Sequence, residues 1–343
     1  MRAAVLHPDH RVEVTHLDPP EPTTGKVLVA PVAVGLCGSD VSYATKGANG
    51  SFVVRHPMVL GHEVCATLTG PTVVESALLP AGALVVVHPL WPSPLCGESA
   101  VRSEFASDPS SFLGSASTMP HTNGGLAELV AVRPEQLRRV PDGLPAIRAV
   151  LAEPLSVVLH ALNRLPVDPA GQKVLVCGAG PIGLLTAVCL KDRGAAEVTL
   201  TDLHRRPLDL ALGLGADHGL VVPEQTPPAE TFDIAVEATG ALASFHAALA
   251  ALRAGGHLLQ LGMLPRASLP TSLALVVTKE LTVTGSHRFA GELDTAISFL
   301  AAHPECGKIV THQLPLEEAA EALTLAADAA NASKVVVLID RTG

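Results

Sequence analysis

The segment that decides the fold is KVLVCGAGPIG, residues 173–183. Its first half is an apolar run typical of a buried strand, and the apolar sequence LLTAVCL that follows it is typical of a helix. Three glycines between the two, Gly178, Gly180 and Gly183, have the spacing Gly-x-Gly-x-x-Gly. That spacing, in a turn from strand to helix, is the pattern of a dinucleotide-binding loop.

Each position of this loop has a physical role in holding a pyrophosphate. Gly178 permits the tight turn, Gly180 lets the backbone approach the phosphates, and Gly183 lets the helix pack closely on the strand. The helix begins with Pro181 and Ile182, and its N-terminus presents unpaired N–H groups and the positive end of the helix dipole. All five residues are therefore predicted coenzyme contacts. The alternative is a glycine-rich turn that binds no nucleotide.

An acidic residue ends the next predicted strand. Asp202 closes EVTLTD, 19 residues after Gly183 (202 − 183), where a carboxylate can accept hydrogen bonds from the adenosine ribose hydroxyls. It would also repel a 2′-phosphate, so the sequence favours NAD over NADP. Arg205 and Arg206 follow closely and keep NADP open as the less favoured coenzyme, with Arg206 a further candidate contact. The alternative for Asp202 is an ordinary turn residue.

Three zones can be distinguished along the chain. From residue 146 to 283, apolar strands alternate with Ala- and Leu-rich helices, which predicts a doubly wound parallel sheet. Residues 1–145 contain short β-rich runs broken by Gly and Pro, which predicts a mostly antiparallel β domain. Residues 284–343 contain two more helical segments and a last strand, KVVVLID. The fold class is thus α/β plus β, and 343 residues suffice for about two domains.

Composition excludes several classes of protein. Hydrophobic residues make up 48% and charged residues 16%, and the formal net charge is −10, so neither disorder nor nucleic-acid binding through bulk charge is expected. The apolar stretch 174–190 is broken by Gly and Pro, and is better explained as strand then helix than as a membrane span. The N-terminus lacks the apolar core of a signal peptide. No membrane association and a cytoplasmic location are predicted.

Residues that can bind a metal lie in three separated motifs. Cys37 lies in GLCGSD, His62 and Glu63 lie in GHEV, and Glu153 lies in AEPLSV. Thiolate, imidazole and carboxylate groups are good Zn²⁺ ligands, and three protein ligands plus a water describe a catalytic zinc site. Each of these residue types alone is more often structural, so spacing by itself leaves both interpretations open.

Together these motifs resemble those of the zinc-dependent medium-chain alcohol and polyol dehydrogenases. The similarity runs over essentially the whole chain, through MRAAVLH, GLCGSD, PMVLGHEV, GGLAELVAV, AEPLSVVLHAL, VLVCGAGPIG, EVTLTD, EATG, LQLGM and ELTVTGSHRF. Within the family the chain resembles L-idonate 5-dehydrogenase and sorbitol dehydrogenase, through CGSDVSYATKG, FLGSASTMPHTNGGLAELVAV and GSHRF. The resemblance implies a GroES-like β domain formed by residues 1–145 and 284–343. It also implies a Rossmann NAD-binding domain, 146–283, with zinc and nicotinamide in the cleft between the two.

The resemblance also implies roles for the candidate metal ligands. Cys37 and His62 match zinc ligands of the family, and Glu63 matches the carboxylate that ligates the metal in polyol dehydrogenases. Glu153 matches an acid on the other side of the zinc, bound directly or through water and counted among the catalytic residues. Which of the two glutamates is bound at rest stays open. Asp40 matches the acid that orients the zinc-binding imidazole.

Further positions match substrate contacts of the family. Ser39 resembles the hydroxyl that hydrogen-bonds the substrate oxygen and starts a proton relay. Tyr43 and Arg288 match positions that contact substrate, and Arg288 could pair with a sugar-acid carboxylate through its planar fork. The alternatives are a packing aromatic for Tyr43 and an ion pair for Arg288. Ser42 occupies the position of a relay histidine in alcohol dehydrogenases, so the end of the relay stays open.

The chain departs from many relatives in the lobe that binds a structural zinc. Four cysteines are usual there, but this region reads PSPLCGESAVRSEFASD, with Cys96 alone and with Ser99 and Arg102 where further cysteines would fall. A single thiolate cannot hold a tetrahedral zinc ion. We therefore expect one catalytic zinc ion per chain and no structural zinc.

The resemblance implies an oxidoreductase that transfers a hydride between NAD and a secondary alcohol of a polyol or sugar acid. The zinc ion would polarise the hydroxyl and the nicotinamide would accept the hydride. The preferred substrate is L-idonate, oxidised to 5-ketogluconate. The alternatives are a cyclitol or aminocyclitol dehydrogenase of a biosynthetic pathway, and a catalytically silent NAD-binding regulatory protein. Relatives form dimers and tetramers, so a homo-oligomer is expected.

Overall fold

The computed structural model describes residues 1–21, 23–90, 111–264 and 271–340. The chain divides into two compact units. Unit 1 consists of Met1–Glu153, Leu293–Asp328 and Lys334–Gly343, and unit 2 consists of Pro154–Glu292 and Ala329–Ser333. The described part of unit 1 is built mainly from β-strands, and that of unit 2 alternates strands and helices.

Unit 1 contains short strands and a few helices. Its strands are β1 (Arg2–Leu6), β2 (Val12–His16), β3 (Val27–Gly35), β4 (Ala48–Asn49), β5 (Phe52–Val53), β6 (Met58–Val59), β7 (Glu63–Leu68), β8 (Thr72–Val74), β9 (Ala77–Leu79), β10 (Leu84–Val87), β11 (Val130–Val132), β12 (Leu137–Arg139), β19 (Val310–Pro315) and β20 (Lys334–Leu338). Its helices are α1 (Gly38–Lys46), α2 (Ala146–Ala149), α8 (Leu293–Ala302) and α9 (Ala319–Ala327), with 3₁₀ turns at Pro134–Gln136, Pro304–Ile309 and Leu316–Glu318.

The main sheet of unit 1 is mostly antiparallel, as the sequence predicted. Among the described residues its strands run in the order β12-β10-β7-β3-β20-β19, with β11 also paired to β3, and only the pair β19 and β20 is parallel. A smaller sheet has the order β2-β1-β6. The last strand, β20, thus lies between β19 and β3, a strand near the start of the chain. This pairing brings the C-terminal segment to the predicted metal ligands.

Unit 2 alternates strands and helices in chain order. Its elements are α3 (Ala152–Asn163, which begins at the boundary), β13 (Lys173–Cys177), α4 (Pro181–Asp192), β14 (Glu197–Asp202), α5 (Arg205–Gly213), β15 (His218–Val221), β16 (Phe232–Glu237), α6 (Leu242–Ala251), β17 (Leu252–Gln260), α7 (Ala274–Thr278) and β18 (Thr282–Gly285). Every strand pair in this sheet is parallel, and the order is β15-β14-β13-β16-β17-β18. This is the doubly wound dinucleotide-binding sheet that the sequence predicted.

Buried apolar side chains explain why these segments form this sheet. Leu175 of β13, Phe232 and Ala235 of β16 and Leu258 of β17 are essentially inaccessible to solvent and belong to one core cluster. Strands that are covered on both faces read as continuous apolar runs rather than alternating ones. Residues Ala146–Asn163, which include α2 and α3, are by length and composition apolar enough to cross a membrane, and 72% of this stretch is buried inside the protein. Such burial is typical of helices that contribute to a protein core.

The boundaries between the units fall later than the predicted residues 145 and 283. Helix α2 packs on strands β3 and β7 and on helix α8, so residues 146–153 belong with the β-rich unit. At the second boundary, β18 pairs with β17, and Glu292 bonds to His160 of α3 at 2.9 Å. Residues 284–292 therefore belong with the parallel sheet. Both differences arise because packing partners, rather than local composition, decide to which unit a connecting segment belongs.

Candidate metal and coenzyme sites

The first predicted ligand, Cys37, lies immediately before helix α1 as its N-cap residue, with φ −105° and ψ 160°. Asp40, in the first turn, accepts a hydrogen bond from the Cys37 N–H at 2.9 Å and one from the Gly61 N–H at 3.2 Å. A carboxylate at a helix N-terminus satisfies free N–H groups and interacts favourably with the helix dipole. Asp40, which is fully buried, therefore ties the segment that carries Cys37 to the segment that precedes His62.

Strand pairing brings three of the predicted ligands together. Gly35 of β3 lies opposite Glu63 of the antiparallel strand β7. Cys37 follows the first of these strands, and His62 precedes the second. One ligand atom from each of Cys37, His62 and Glu63 lies within 4.8 Å of the other two. Among the described residues Glu153 is not a member of this group.

The imidazole of His62 is held on two sides. Its ring packs on Phe112, with 5.3 Å between the ring centroids, and its Nδ1 lies 3.7 Å from Oδ2 of Asp40. Burial lowers the pKa of His62, but the charges of Asp40 and Cys37 outweigh burial and raise it well above the usual value. A carboxylate on the Nδ1 side favours a proton there and leaves the Nε2 lone pair to a metal. At 3.7 Å this contact is longer than a hydrogen bond, so the orienting role of Asp40 stays a prediction.

Lys334 is a buried member of this site that the sequence motifs did not reveal. Its Nζ lies 2.6 and 2.7 Å from the two carboxylate oxygens of Glu63 and 3.0 Å from the carbonyl oxygen of Leu36. A lysine is almost never fully buried unless it is paired with an acid, and Lys334 is 2% exposed. The available signal was a lysine at the start of the otherwise apolar strand KVVVL.

Gly35 makes room for the Glu63 carboxylate. A Cβ atom at residue 35 would lie 2.0 Å from Oε2 of Glu63, far inside van der Waals contact. The first glycine of GLCGSD, Gly35, is therefore required by a side chain on the neighbouring strand. Sequence alone gave no reason for it, since the two residues meet only when β3 and β7 pair.

The electrostatics of this group suit a divalent cation. Burial lowers the pKa of Lys334, but the negative charges of Glu63, Cys37 and Glu153 raise it above its usual value. The charges of Asp40 and Cys37 act on the pKa of His62 in the same direction. Negatively charged groups therefore surround both residues, and the site offers the sulfur, nitrogen and oxygen donors that Zn²⁺ prefers. The residues present fit a zinc ion.

Two further predicted site residues, Glu153 and Ser39, are linked to this group by charge and by position in the chain, respectively. Glu153 is in the first turn of α3 and is 5% exposed, and its charge acts on Lys334. Ser39 is half-buried in the first turn of α1, two residues after Cys37. The direct or water-mediated zinc contact of Glu153 and the substrate contact of Ser39 both stay predictions.

The hydroxyl groups of Ser42 and Tyr43 are already engaged. Ser42 Oγ donates to the carbonyl oxygen of Ala48 at 2.8 Å. Tyr43 is 2% exposed, and its hydroxyl lies 3.3 Å from Oγ of Ser115 and accepts a hydrogen bond from the Ala116 N–H at 3.2 Å. In this structure Tyr43 secures a loop of unit 1, and its substrate contact stays a prediction.

Arg288 belongs to unit 2 and follows strand β18. It is half-buried and has φ 56°, in the left-handed region that side-chain-bearing residues rarely adopt. Such conformations persist only where the surrounding structure enforces them, and they cluster at functional sites. Arg288 also helps burial to lower the pKa of the neighbouring His287. Its contact with substrate stays a prediction.

The glycine loop has the geometry that coenzyme binding requires. Gly178 has φ 101°, and a Cβ there would lie 2.8 Å from Cγ2 of Thr239, while a Cβ on Gly183 would lie 1.9 Å from the Gly178 carbonyl oxygen. At Gly180 a Cβ would meet no protein atom within 4 Å, so the backbone there faces open space. Gly180 is the N-cap of α4, and Pro181 is its first residue, followed by Ile182. The loop therefore fits a pyrophosphate at the helix N-terminus.

Asp202 connects the predicted ribose position to this loop. It ends β14, and its carboxylate accepts hydrogen bonds from the Ala179 N–H at 2.9 Å and the His204 N–H at 3.0 Å. Each carboxylate oxygen has a second lone pair, so ribose hydroxyls can still be bound. Arg206 directs Nη1 toward Oδ1 of Asn331 at 3.4 Å, and its coenzyme contact stays a prediction.

The lobe expected to lack a structural zinc lies outside the described residues. Cys96, Ser99 and Arg102 all fall within residues 91–110, for which the structure gives no description. The expectation of a single zinc ion therefore stays a prediction.

Comparison with known proteins identifies the family. Residues 23–142 match the alcohol dehydrogenase GroES-like domain, and residues 181–302 match the zinc-binding dehydrogenase family. Human sorbitol dehydrogenase is 34% identical over 333 residues, covering 93% of this chain and 90% of that protein. Sorbitol dehydrogenase of Bacillus subtilis is 31% identical, covering 94% and 92%.

Solved structures agree with this assignment. The crystal structure of L-idonate 5-dehydrogenase from Escherichia coli superposes with a TM-score of 0.89 at 29% identity, covering 98% of this chain and 97% of that one. The GroES-like domain and the parallel dinucleotide-binding sheet predicted from the sequence are both confirmed. The chain belongs to the zinc-dependent medium-chain dehydrogenases of the polyol dehydrogenase type.

Proposed function

We propose that this chain is a dehydrogenase that uses one zinc ion and NAD to oxidise a secondary alcohol of a polyol or sugar acid, with L-idonate as the preferred substrate and 5-ketogluconate as its product. The observation that carries the proposal is the buried group of Cys37, His62 and Glu63, whose ligand atoms lie within 4.8 Å of one another. The likeness to sorbitol dehydrogenases and to L-idonate 5-dehydrogenase supports the substrate class. We infer that Glu63, rather than Glu153, is the third protein ligand at rest.

The residues of the chain prepare this chemistry. A zinc ion bound there would polarise the substrate hydroxyl, and a bound nicotinamide would accept the hydride. The Asp40 carboxylate, 3.7 Å from Nδ1 of His62, would orient that ring towards the metal, and Lys334 holds both oxygens of Glu63 in place. Ser39, in the first turn of α1, would accept the hydroxyl proton from the reacting oxygen while its own hydroxyl proton passes to water.

The substrate class can be tested with a panel of neutral polyols, sugar acids, cyclitols and aminocyclitols, each assayed for NADH production by the zinc-loaded protein. We expect L-idonate to give the highest kcat/KM and sorbitol to be a weaker substrate. The inverted order, with a cyclitol or aminocyclitol preferred, would replace the proposed substrate. Absence of NADH formation with every compound, at full zinc loading, would favour the silent regulatory alternative.

Replacing Asp202 should change the coenzyme preference. In Asp202→Ala the ribose hydroxyls lose a charged acceptor, so we expect NADH to bind about tenfold more weakly or worse. The charge that repels a 2′-phosphate is also lost, so NADPH should lose less affinity than NADH. The ratio of NADH affinity to NADPH affinity should therefore be lower than in the unaltered protein. Both dissociation constants can be measured by fluorescence titration. Asp209→Ala is the matched control, because Asp209 pairs with Arg205 on the exposed face of α5. An unaltered NADH to NADPH ratio would show that another residue discriminates between the coenzymes.

A further inference from the structure

The last residue of strand β16, Glu237, is a buried carboxylate that none of the proposed chemistry uses. It is fully buried, and it accepts hydrogen bonds from four donors. Thr239 contributes its N–H at 2.8 Å and its hydroxyl, Gly240 its N–H at 3.0 Å, and Gln260 its side-chain amide at 2.6 Å. Across the described residues no Lys, Arg or His forms an ion pair with Glu237. Hydrogen bonds alone therefore satisfy a carboxylate whose burial is costly.

Glu237 joins the two turns that follow β16 and β17, residues 238–240 and 261–263, here named the edge turns. It lies in register with Gln260 on the neighbouring strand. The same Gln260 amide nitrogen that donates to Glu237 also donates to the carbonyl oxygen of Gly262 at 2.7 Å. The backbone carbonyl of Glu237 accepts the Gly262 N–H at 2.8 Å. One carboxylate and one amide thus connect both turns.

The edge turns pack backbone against backbone. A Cβ atom on Gly262 would lie 2.1 Å from the Gly240 nitrogen, and a Cβ on Gly240 would lie 2.7 Å from the Met263 carbonyl oxygen. Gln260 gives both amide hydrogens to this arrangement, and its Oε1 is buried without a hydrogen bond to any described residue. An unsatisfied buried oxygen is unfavourable for stability.

The edge turns lie where a doubly wound sheet binds its ligand. Ligands of such sheets bind at the carboxyl ends of the strands, at the point where the strand order reverses, with one mononucleotide in each half. That point here lies between β13 and β16. Gly178 follows β13, and Asp202 on β14 marks the adenosine half. The edge turns follow β16 and β17, on the other side of β13, and therefore border the nicotinamide half.

We propose that Glu237, together with Gln260, is a positioning residue for the nicotinamide half of the coenzyme, because it holds both edge turns in the shape that this half requires. The inference rests on the proposed use of NAD. It concerns residues beneath the coenzyme-binding surface, and it makes no demand on the zinc site of unit 1.

The substitution Glu237→Gln tests this directly, because an amide cannot accept four hydrogen bonds. One of its two polar atoms is an NH₂ group. In one orientation it would face the N–H of Thr239, and in the other it would face both the N–H of Gly240 and the amide of Gln260, donor against donor. If Gln260 turned its amide over to accept that hydrogen, its oxygen would face the carbonyl oxygen of Gly262. Each arrangement disturbs at least one edge turn while leaving the volume of the side chain nearly unchanged.

The experiment compares NADH with ADP-ribose, which lacks the nicotinamide, in direct binding titrations of the zinc-loaded protein. For Glu237→Gln we expect the dissociation constant of NADH to rise about tenfold or more, and that of ADP-ribose to change less than about twofold. Asp233→Asn is the matched control. Asp233 lies at the amino end of the same strand, where it accepts the Lys173 N–H at 2.7 Å and pairs with Arg253. We expect it to leave both affinities unchanged.

Two results would overturn the inference: an unchanged NADH affinity, or parallel losses for NADH and ADP-ribose, which would indicate a structural role only. If Glu237→Gln does not fold, the same titrations on Gln260→Leu decide the question. That substitution removes the two hydrogen bonds that the Gln260 side chain donates, to Glu237 and to the Gly262 carbonyl oxygen. A selective loss of NADH affinity supports the inference, and any other pattern overturns it. Failure of the unaltered protein to bind NADH or ADP-ribose at all would instead overturn the proposed function.

Discussion

Cys37→Ser should remove the zinc ion and reduce turnover by about a thousandfold or more, while NADH binding stays within about twofold of the unaltered protein. A serine hydroxyl is a poor substitute for a thiolate at zinc, and the remaining imidazole and carboxylate leave the donor set incomplete. The predicted coenzyme contacts all belong to unit 2, which does not contain Cys37. Zinc content by mass spectrometry, substrate-dependent NADH formation and a fluorescence titration with NADH measure the three quantities.

The matched control for this prediction is Cys306→Ala. Cys306 is a buried free cysteine of the same unit, and burial raises the pKa of its thiol to about 12. Its loss should leave zinc content and turnover unchanged. The unaltered protein should carry about one zinc ion per chain. Full zinc retention in Cys37→Ser would remove Cys37 from the metal site, and two tightly held ions per unaltered chain would contradict the expected lack of a structural zinc.

Lys334→Met should be among the most destabilising single substitutions in the chain. It leaves the buried Glu63 carboxylate without the ammonium group that bonds both of its oxygens. Breaking a buried ion pair by removing one partner costs about 3–5 kcal/mol. The free energy of unfolding of the zinc-free protein, measured by urea titration, should fall by about that amount. Lys173→Met is the comparison, because it breaks an ion pair with Glu197 in which the lysine side chain is 49% exposed. It should lower the free energy of unfolding by less than about 1 kcal/mol.

The double variant Glu63→Gln with Lys334→Met separates stability from metal binding. The main cost of removing one partner is the uncompensated buried charge that remains, and the double variant leaves no such charge. We therefore expect it to recover most of the lost free energy of unfolding and to bind zinc poorly, because the carboxylate ligand is gone. If Lys334→Met alone proved as stable as the unaltered protein, the ion pair would contribute nothing to the fold of unit 1.

Local patterns predicted the coenzyme loop well. The glycines of the 173–183 segment have the close approaches and the positive φ at Gly178 that the motif implies. This succeeds because the strand, the turn and the helix are contiguous in sequence, so their geometry depends on neighbouring residues. The division into a mostly antiparallel unit and a parallel one was also predictable, since it follows from strand spacing and helix alternation.

The metal group was predictable only in part. Cys37, His62 and Glu63 could be named because their residue types suit zinc and their motifs resemble a family. Lys334 could not be named, because its partner Glu63 is 271 residues away in sequence. The clearance provided by Gly35 likewise depends on a side chain of another strand.

The amino-acid sequence by itself determined the class of this protein: a glycine loop between strand and helix, an acid at the next strand end, and separated zinc-type ligands. Those features depend on local periodicity and on residue chemistry. Only the tertiary structure decided that Lys334 holds Glu63, that Glu237 connects the two edge turns, and that the chain passes from one unit to the other after residues 153, 292, 328 and 333. The physical reason is that strand pairing and burial join residues far apart in the chain, and no local pattern encodes which distant partner each will meet.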